Sequence, residues 1–331
     1  MMKALFKKKV NNINPNPTLA IEIKNFTKKF KKFTAVDNIN ISVKKGKIHG
    51  FIGPNGSGKT TTIKSLIGAI IATNGEFYIN GLVATSVDAK KAIGYIPENA
   101  RFPKHLKSLE YLAEMGYLRG IPYKEAKTKA RKILVSLNLI KFKSKNPNTF
   151  SSGMKKKILL AQALMADPEV LILDEPAANL DPTARQELFN DLIKLRDQGK
   201  TILICSHILS ELQDIADEIT ILNYGKIVYY GEVINASHNY FEFTVMEPEM
   251  LTKLGQEIKK LGYEIIHQFA DSYVIKLNDT KNEIKRIAFA AFEQKIILIG
   301  IQPYFTNITK IYDDVVFSNN KNFGQASALV S

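Results

Sequence analysis

The chain has 331 residues, with 46 Lys and Arg against 32 Asp and Glu, for a net charge of +14. Chains of this length bury roughly three quarters of their unfolded surface, and 45% hydrophobic with 24% charged residues excludes wholesale disorder. One cysteine, Cys205, excludes a disulfide framework and a Cys-rich metal site, while the basic excess points to nucleic acid, a phosphate ligand or a membrane surface.

The charge is concentrated at one end. Residues 1–50 hold 12 Lys against Glu22 and Asp37, a net of +10. Residues 1–18 are polar and Asn/Pro-rich, and a mobile segment is expected there. Its Lys7–Lys9 run suits either solvent or an anionic leaflet. No apolar stretch follows MMKALFKKKV, so no export signal is expected. Residues 287–305 are apolar but broken by Glu293, Gln294, Lys295 and Pro303, so no membrane span is predicted.

Strand alternation appears at 19–26 and 39–44, and an apolar strand at 48–53 runs through a Gly-rich turn into a helix from about Lys59. Residues 106–140 read as helices, with Ile133, Leu134 and Leu137 at helical spacing. A strand at 169–173, a helix at about 182–198, a strand at 200–205 and a helix at 208–216 follow. A hairpin is predicted around Asn223-Tyr224-Gly225, and a linker at 236–239. Beyond it come strand 240–246, helix 248–261, strands 263–268 and 272–277, helix 280–294 and strand 296–301. That order, β-α-β-β-α-β, is the ferredoxin-like arrangement.

Two motifs carry chemistry. Gly53-Pro54-Asn55-Gly56-Ser57-Gly58-Lys59-Thr60-Thr61 satisfies the phosphate-loop pattern, strand before and helix after. Phosphates must approach backbone N–H groups at a helix N-terminus, and a side chain at Gly56 or Gly58 would obstruct them. Lys59 suits the β- and γ-phosphates, and the Thr60 hydroxyl suits Mg²⁺. The second motif places Asp174 and Glu175 at the end of an apolar strand, where open α/β sheets bind ligands. Asp174 would hold Mg²⁺, and Glu175 would orient or deprotonate water.

Between these motifs lies Phe150-Ser151-Ser152-Gly153-Met154, just before a helix. This combination resembles the ATP-binding cassette (ABC) transporter ATPases over residues 20 to 235. The resemblance implies a P-loop α/β domain at 19–236, with an antiparallel β subdomain and a helical subdomain at about 102–165. It leaves a small ferredoxin-like α+β domain at 239–318 and a tail at 319–331. Several roles come with it. Phe30 would stack on adenine, His207 would contact the γ-phosphate and hold Glu175, and Asp181 would lie at a dimer interface or cap a helix. Ser151 to Met154 would form the signature that faces a second subunit's nucleotide.

Two positions depart from the family pattern. Ser152 stands where Gly is common. Glu98 stands where Gln usually lies near Mg²⁺, and lacks its amide donor. Both occur in relatives of the drug-export branch. The implied partners are ATP, Mg²⁺, a second ABC subunit and a separate multi-span permease at the cytoplasmic membrane face. The alternative is a soluble ABC-type ATPase acting on nucleic acid or ribosomes. A P-loop GTPase would need an NKxD string, which the sequence lacks. His207 also fits a buried core histidine, and Lys155–Lys157 a solvated helix face.

Overall fold

The computed structural model describes residues 16, 18–99, 101–234, 239–313, 315 and 316. The Lys7–Lys9 run, linker residues 236–238 and the predicted tail lie outside these residues. The described chain divides into two compact units, the second spanning Glu232–Ile311.

The first unit opens with β1 (Leu19–Phe30) and β2 (Phe33–Lys44), an antiparallel pair. Both strands outrun their predicted lengths. Register shifts follow Ile23, Phe26 and Lys28, and Asn25 and Asn38 sit at φ 48°. Such bulges bend a strand without ending it, and they break the alternation that marks strands in a sequence. All five residues of β3 (Ile48–Ile52) are buried, as suits a strand covered on both faces.

Helix α1 (Lys59–Leu66) leaves the Gly-rich loop. Next come β4 (Asn74–Ile79), β5 (Leu82–Val83), α2 (Val87–Lys91) and β6 (Ile93–Ile96). None of these four was expected from the sequence: β5 has two residues, and β4 buries only Ile79, so no apolar run marks it. The predicted helical region divides into α3 (Ser108–Leu118) and α4 (Tyr123–Ser136), with Gly120 at φ 87° between them. Helix α4 buries Ala126, Ala130 and Leu134 at four-residue spacing.

The unit continues through α5 (Ser152–Leu164), β7 (Val170–Asp174), α6 (Pro182–Asp197), β8 (Thr201–Ser206) and α7 (Leu209–Gln213). It closes with the hairpin β9 (Glu218–Asn223) and β10 (Lys226–Glu232), whose turn residues Tyr224 and Gly225 both have positive φ.

The strands form two sheets. One is ordered β2-β1-β4-β5; the other is ordered β10-β9-β3-β8-β7-β6, and β9, β3, β8, β7 and β6 in it are parallel. Phe26, Val36 and Ile41 of the first sheet share one core with Phe51, Ile172, Leu203 and Cys205 of the second and with Ile63 of α1. Burial pushes the Cys205 thiol well up, so it acts as a small apolar group. Because β3, β7 and β8 run parallel, their C-terminal ends meet at one edge.

The second unit contains β11 (Tyr240–Val245), α8 (Leu251–Lys260), β12 (Ile265–Gln268), β13 (Ser272–Lys276), α9 (Thr280–Glu293) and β14 (Leu298–Pro303). They build an antiparallel sheet ordered β12-β13-β11-β14. Leu254, Ile258, Ile287 and Ala291 of the helices pack with Phe243 and Ile275. The last strand begins two residues after the expected Ile296. Lys295, at φ 58°, and Ile296 first donate to the Phe292 and Ala291 carbonyls, which closes α9.

Candidate nucleotide site

The Gly-rich loop joins β3 to α1 under tight steric limits. A Cβ on Gly53 would lie 2.2 Å from the Leu222 carbonyl oxygen, and one on Gly58 2.8 Å from that of Ala35. Gly56 is less enclosed. A Cβ there meets no protein atom within 4 Å, and glycine suits the position through its φ of +79°. Lys59 is buried and folds back over the loop, donating to the carbonyls of Gly53 at 2.7 Å and Pro54 at 3.2 Å. The Ser57 carbonyl accepts from the Gly225 N–H at 2.9 Å, which ties the loop to the β9–β10 turn. No side chain caps α1, so its N-terminal N–H groups are available to an anion.

The acidic residues stand opposite this loop. Thr60 Oγ1 donates to Asp174 Oδ1 at 3.2 Å. Burial pushes the Asp174 carboxyl above its usual range; the Thr60 bond opposes this, and the charges of Glu175 and Glu98 reinforce it. Glu175 leaves β7 with φ 47°, and its N–H donates to the Cys205 carbonyl of β8 at 3.0 Å. One carboxylate oxygen lies 2.8 Å from His207 Nδ1, the other 3.8 Å from Lys59 Nζ. Since a carboxylate only accepts, this contact assigns the proton to Nδ1 of His207. His207 is 42% exposed, which rules out the buried core histidine.

One cleft of about 360 Å³ gathers these groups. Phe30, Asn55 to Thr61, Glu98, Glu175 and His207 all line it. Gly53 and Pro54 form its supporting loop, and Asp174 reaches it through Thr60. Phe33, which the sequence reading passed over, lines the same cleft. It pairs with Phe30 across the β1–β2 turn, and both rings are exposed. Two aromatics bracketing a lysine pair at a strand turn were the available signal.

The signature residues lie elsewhere. Ser151 caps α5 and accepts from the Met154 N–H at 3.3 Å; Ser151 and Ser152 are both exposed. Gly153 is buried, and a Cβ there would lie 2.7 Å from that of Ala184 on α6. Met154 is half-buried. Asp181 caps α6, accepting from the Ala184 N–H at 2.9 Å with Pro182 next in line. None of these five lines the main cleft; Ser152 lines a smaller cavity beside Glu98 and Lys156.

The solvated face expected for Lys155–Lys157 is overturned at two positions. Lys156 and Lys157 are buried. Lys157 pairs with Glu187 of α6 at 2.7 Å. Lys156 donates to the backbone carbonyls of Glu98 at 2.7 Å and Glu175 at 3.1 Å. A run of three lysines conceals this, because a helix turns two of them inward whatever their charge.

A parallel sheet whose first strand feeds a phosphate loop, with acidic residues at the end of a second strand, defines the class: a P-loop nucleoside triphosphatase. Comparison with known proteins narrows it. A family model described as ABC transporter matches residues 36–178. A putative ABC transporter ATP-binding protein of Mycoplasma pneumoniae is 40% identical over 230 residues, covering 68% of this chain and 71% of that protein. The bacitracin transport ATP-binding protein BcrA of Enterococcus faecalis is 36% identical over 302 residues, covering 89% and 96%. A crystal structure of the ADP conformation of an ABC transporter cassette matches with a TM-score of 0.59 at 28% identity, covering 65% of this chain and 91% of that one. The chain belongs to the ABC transporter ATP-binding protein family and is a nucleotide-binding ATPase subunit. The nucleic-acid alternative finds no support among these relatives.

Proposed function

We propose that this chain powers an ABC exporter, as one of two ATPase subunits docked to a separate multi-span permease at the cytoplasmic membrane face. Export is inferred from similarity to a protein named for bacitracin transport. Among the described residues no helix is long and apolar enough to cross a membrane, so the reading assigns the spanning role to another protein.

The observation that carries the hydrolytic reading is Glu175, held 2.8 Å from His207 and 3.8 Å from Lys59 at the phosphate cleft. In this reading Phe30 stacks on adenine while the N–H groups of Gly53 to Thr61 receive the phosphates. Lys59 leaves its loop carbonyls to reach the β- and γ-phosphates. Glu175 accepts a proton from water as the water oxygen bonds to the γ-phosphorus. The bond to the β–γ bridging oxygen breaks, giving ADP and phosphate. His207 fixes Glu175 through Nδ1 and sits beside the γ-phosphate.

A divalent ion fits the oxygen donors present. The Thr60 hydroxyl and Asp174 carboxylate already meet at 3.2 Å, and Glu98 lines the same cleft. These three residues would hold Mg²⁺, which neutralises the charge developing on the β- and γ-phosphate oxygens when bound. Ser151, Ser152, Gly153 and Met154 would face the second subunit's nucleotide, with Asp181 at the shared interface. Residues 19–236 would form the ATPase domain and 239–318 an accessory domain.

The test is purification of the tagged full chain from detergent-solubilised membranes. Recovery of a multi-span protein with Mg²⁺-dependent ATP hydrolysis is expected. Exclusive recovery of ribosomes or DNA would overturn the transporter reading.

A further inference from the structure

Glu175 is held by more than its side chain. Its φ of 47° is a conformation that residues other than glycine seldom adopt, so its peptide needs external support. The N–H is secured by the Cys205 carbonyl of β8. The carbonyl is secured by the Lys156 ammonium, which comes from α5. The same ammonium binds the Glu98 carbonyl at 2.7 Å, so one buried cation joins the backbones of two residues that line the cleft.

The placement of Lys156 makes this more than a structural brace. It lies on the helix capped by Ser151, one turn beyond Ser152, on a buried face. Ser151 and Ser152 are exposed at the start of that helix. A displacement of the helix N-terminus therefore reaches the Glu98 and Glu175 peptides through a few covalent bonds and two hydrogen bonds. Burial lowers the affinity of Lys156 for its proton, while the nearby Glu98, Asp174 and Glu175 oppose that shift. Its hydrogen bonds run in a poorly hydrated place, where their loss is felt most.

We propose that Lys156 is a positioning residue which couples this chain's signature helix to its own Glu175, so that docking at Ser151–Met154 sets the hydrolytic geometry in the same chain. The proposal rests on the dimeric ATPase reading above. It assigns communication between the two nucleotide sites to one ammonium and two backbone carbonyls.

Lys156→Met and Lys156→Gln in the full chain, assayed with its permease, test it. Met keeps the length and apolar stem but cannot donate; Gln restores neutral donors. With Met, kcat should fall about tenfold or more while the KM for ATP stays within about threefold. The Hill coefficient should move from near about 2 towards about 1. Amide hydrogen exchange across residues 170–180 should quicken, and Gln should recover part of both losses.

A Met variant with wild-type kcat and Hill coefficient overturns the proposal. Parallel loss of nucleotide affinity and melting temperature also overturns it, because that marks general core damage. A Gln variant no better than Met does the same. Absence of hydrolysis in the wild-type complex would instead overturn the underlying function, which keeps the two failures distinct.

Discussion

The two units of this chain are built on different principles. In the second, the described buried polar residues are Ser272 and Thr306, and the core is aliphatic and aromatic. In the first, Lys59, Lys156, Lys157, Asp174, Glu211 and Glu218 are all buried. Backbone conformation differs likewise: Lys295 is the described positive-φ residue other than glycine in the second unit, against nine in the first, Glu175 among them. Burying charge and holding strained backbone both cost stability. Four of these residues, Lys59, Lys156, Asp174 and Glu175, gather around the ends of β3 and β7, which indicates what the first unit is built to do. The second follows ordinary amphipathic rules and, among its described residues, carries no comparable cluster.

Glu175→Gln should sharpen that contrast most. The amide cannot accept water's proton, and kcat for ATP should fall by about 10² to 10⁴. Nucleotide binding should persist, since the phosphate loop is untouched, and binding and turnover measured on one preparation would check this. Undiminished turnover would remove Glu175 from the proposed chemistry. The counterpart in the second unit is Phe243→Ala, which empties the centre of an aliphatic core. It should cost about 3 to 5 kcal/mol of that unit's stability. Denaturation followed alongside ATP affinity should show the second unit weakened and the affinity kept; loss of ATP binding would mean the units are not energetically separate.

A smaller effect is expected at the cleft mouth. Phe30→Ala should raise the KM for ATP by about tenfold at most, the range of one aromatic stacking contact. Phe33→Ala should have a weaker effect of the same sign. Equal KM values in the wild type and both variants would remove the aromatic pair from nucleotide recognition.

The two units also differ in how much the sequence reveals. The β-α-β-β-α-β order of the second was readable because its helices bury one face, as with Leu251, Leu254 and Ile258 of α8. Its two late strand starts, at Ile265 and Leu298, came from hydrogen bonds that close the preceding helices α8 and α9. In the first unit, the phosphate loop and the Asp174-Glu175 pair were legible because the chemistry dictates residue types at fixed spacing. The Glu175–His207 contact joins residues 32 apart and was expected only through family resemblance. Lys156 could not be read at all, since its partners are backbone carbonyls and carbonyls carry no sequence signature. β5 escaped because two residues show no period, and β4 because Ile79 is its one fully buried residue.

The smallest effect is also the one that tests whether charge burial in the first unit is a cost accepted for function. Burial holds the Asp174 carboxyl above its ordinary value of 3.8, with Thr60 opposing and the Glu175 and Glu98 charges adding to the effect. A carboxyl raised in the folded state binds its proton more tightly there than in the unfolded chain. Its ionised form therefore destabilises the fold at neutral pH, and the cost fades as pH falls through the raised value. Asp174→Asn removes the charge but keeps an oxygen to accept from Thr60. The nucleotide-free variant should melt higher than the wild type at neutral pH, with the difference shrinking in acid and gone below 3.8. Adding ATP with Mg²⁺ should reverse the order, because ligand stabilises only the form that binds it well. Paired melting curves across pH, with and without nucleotide, would measure this. A variant that melts lower at every pH without ligand would mean that Asp174 stabilises the fold on its own account, and the division between the two units would lose its thermodynamic meaning.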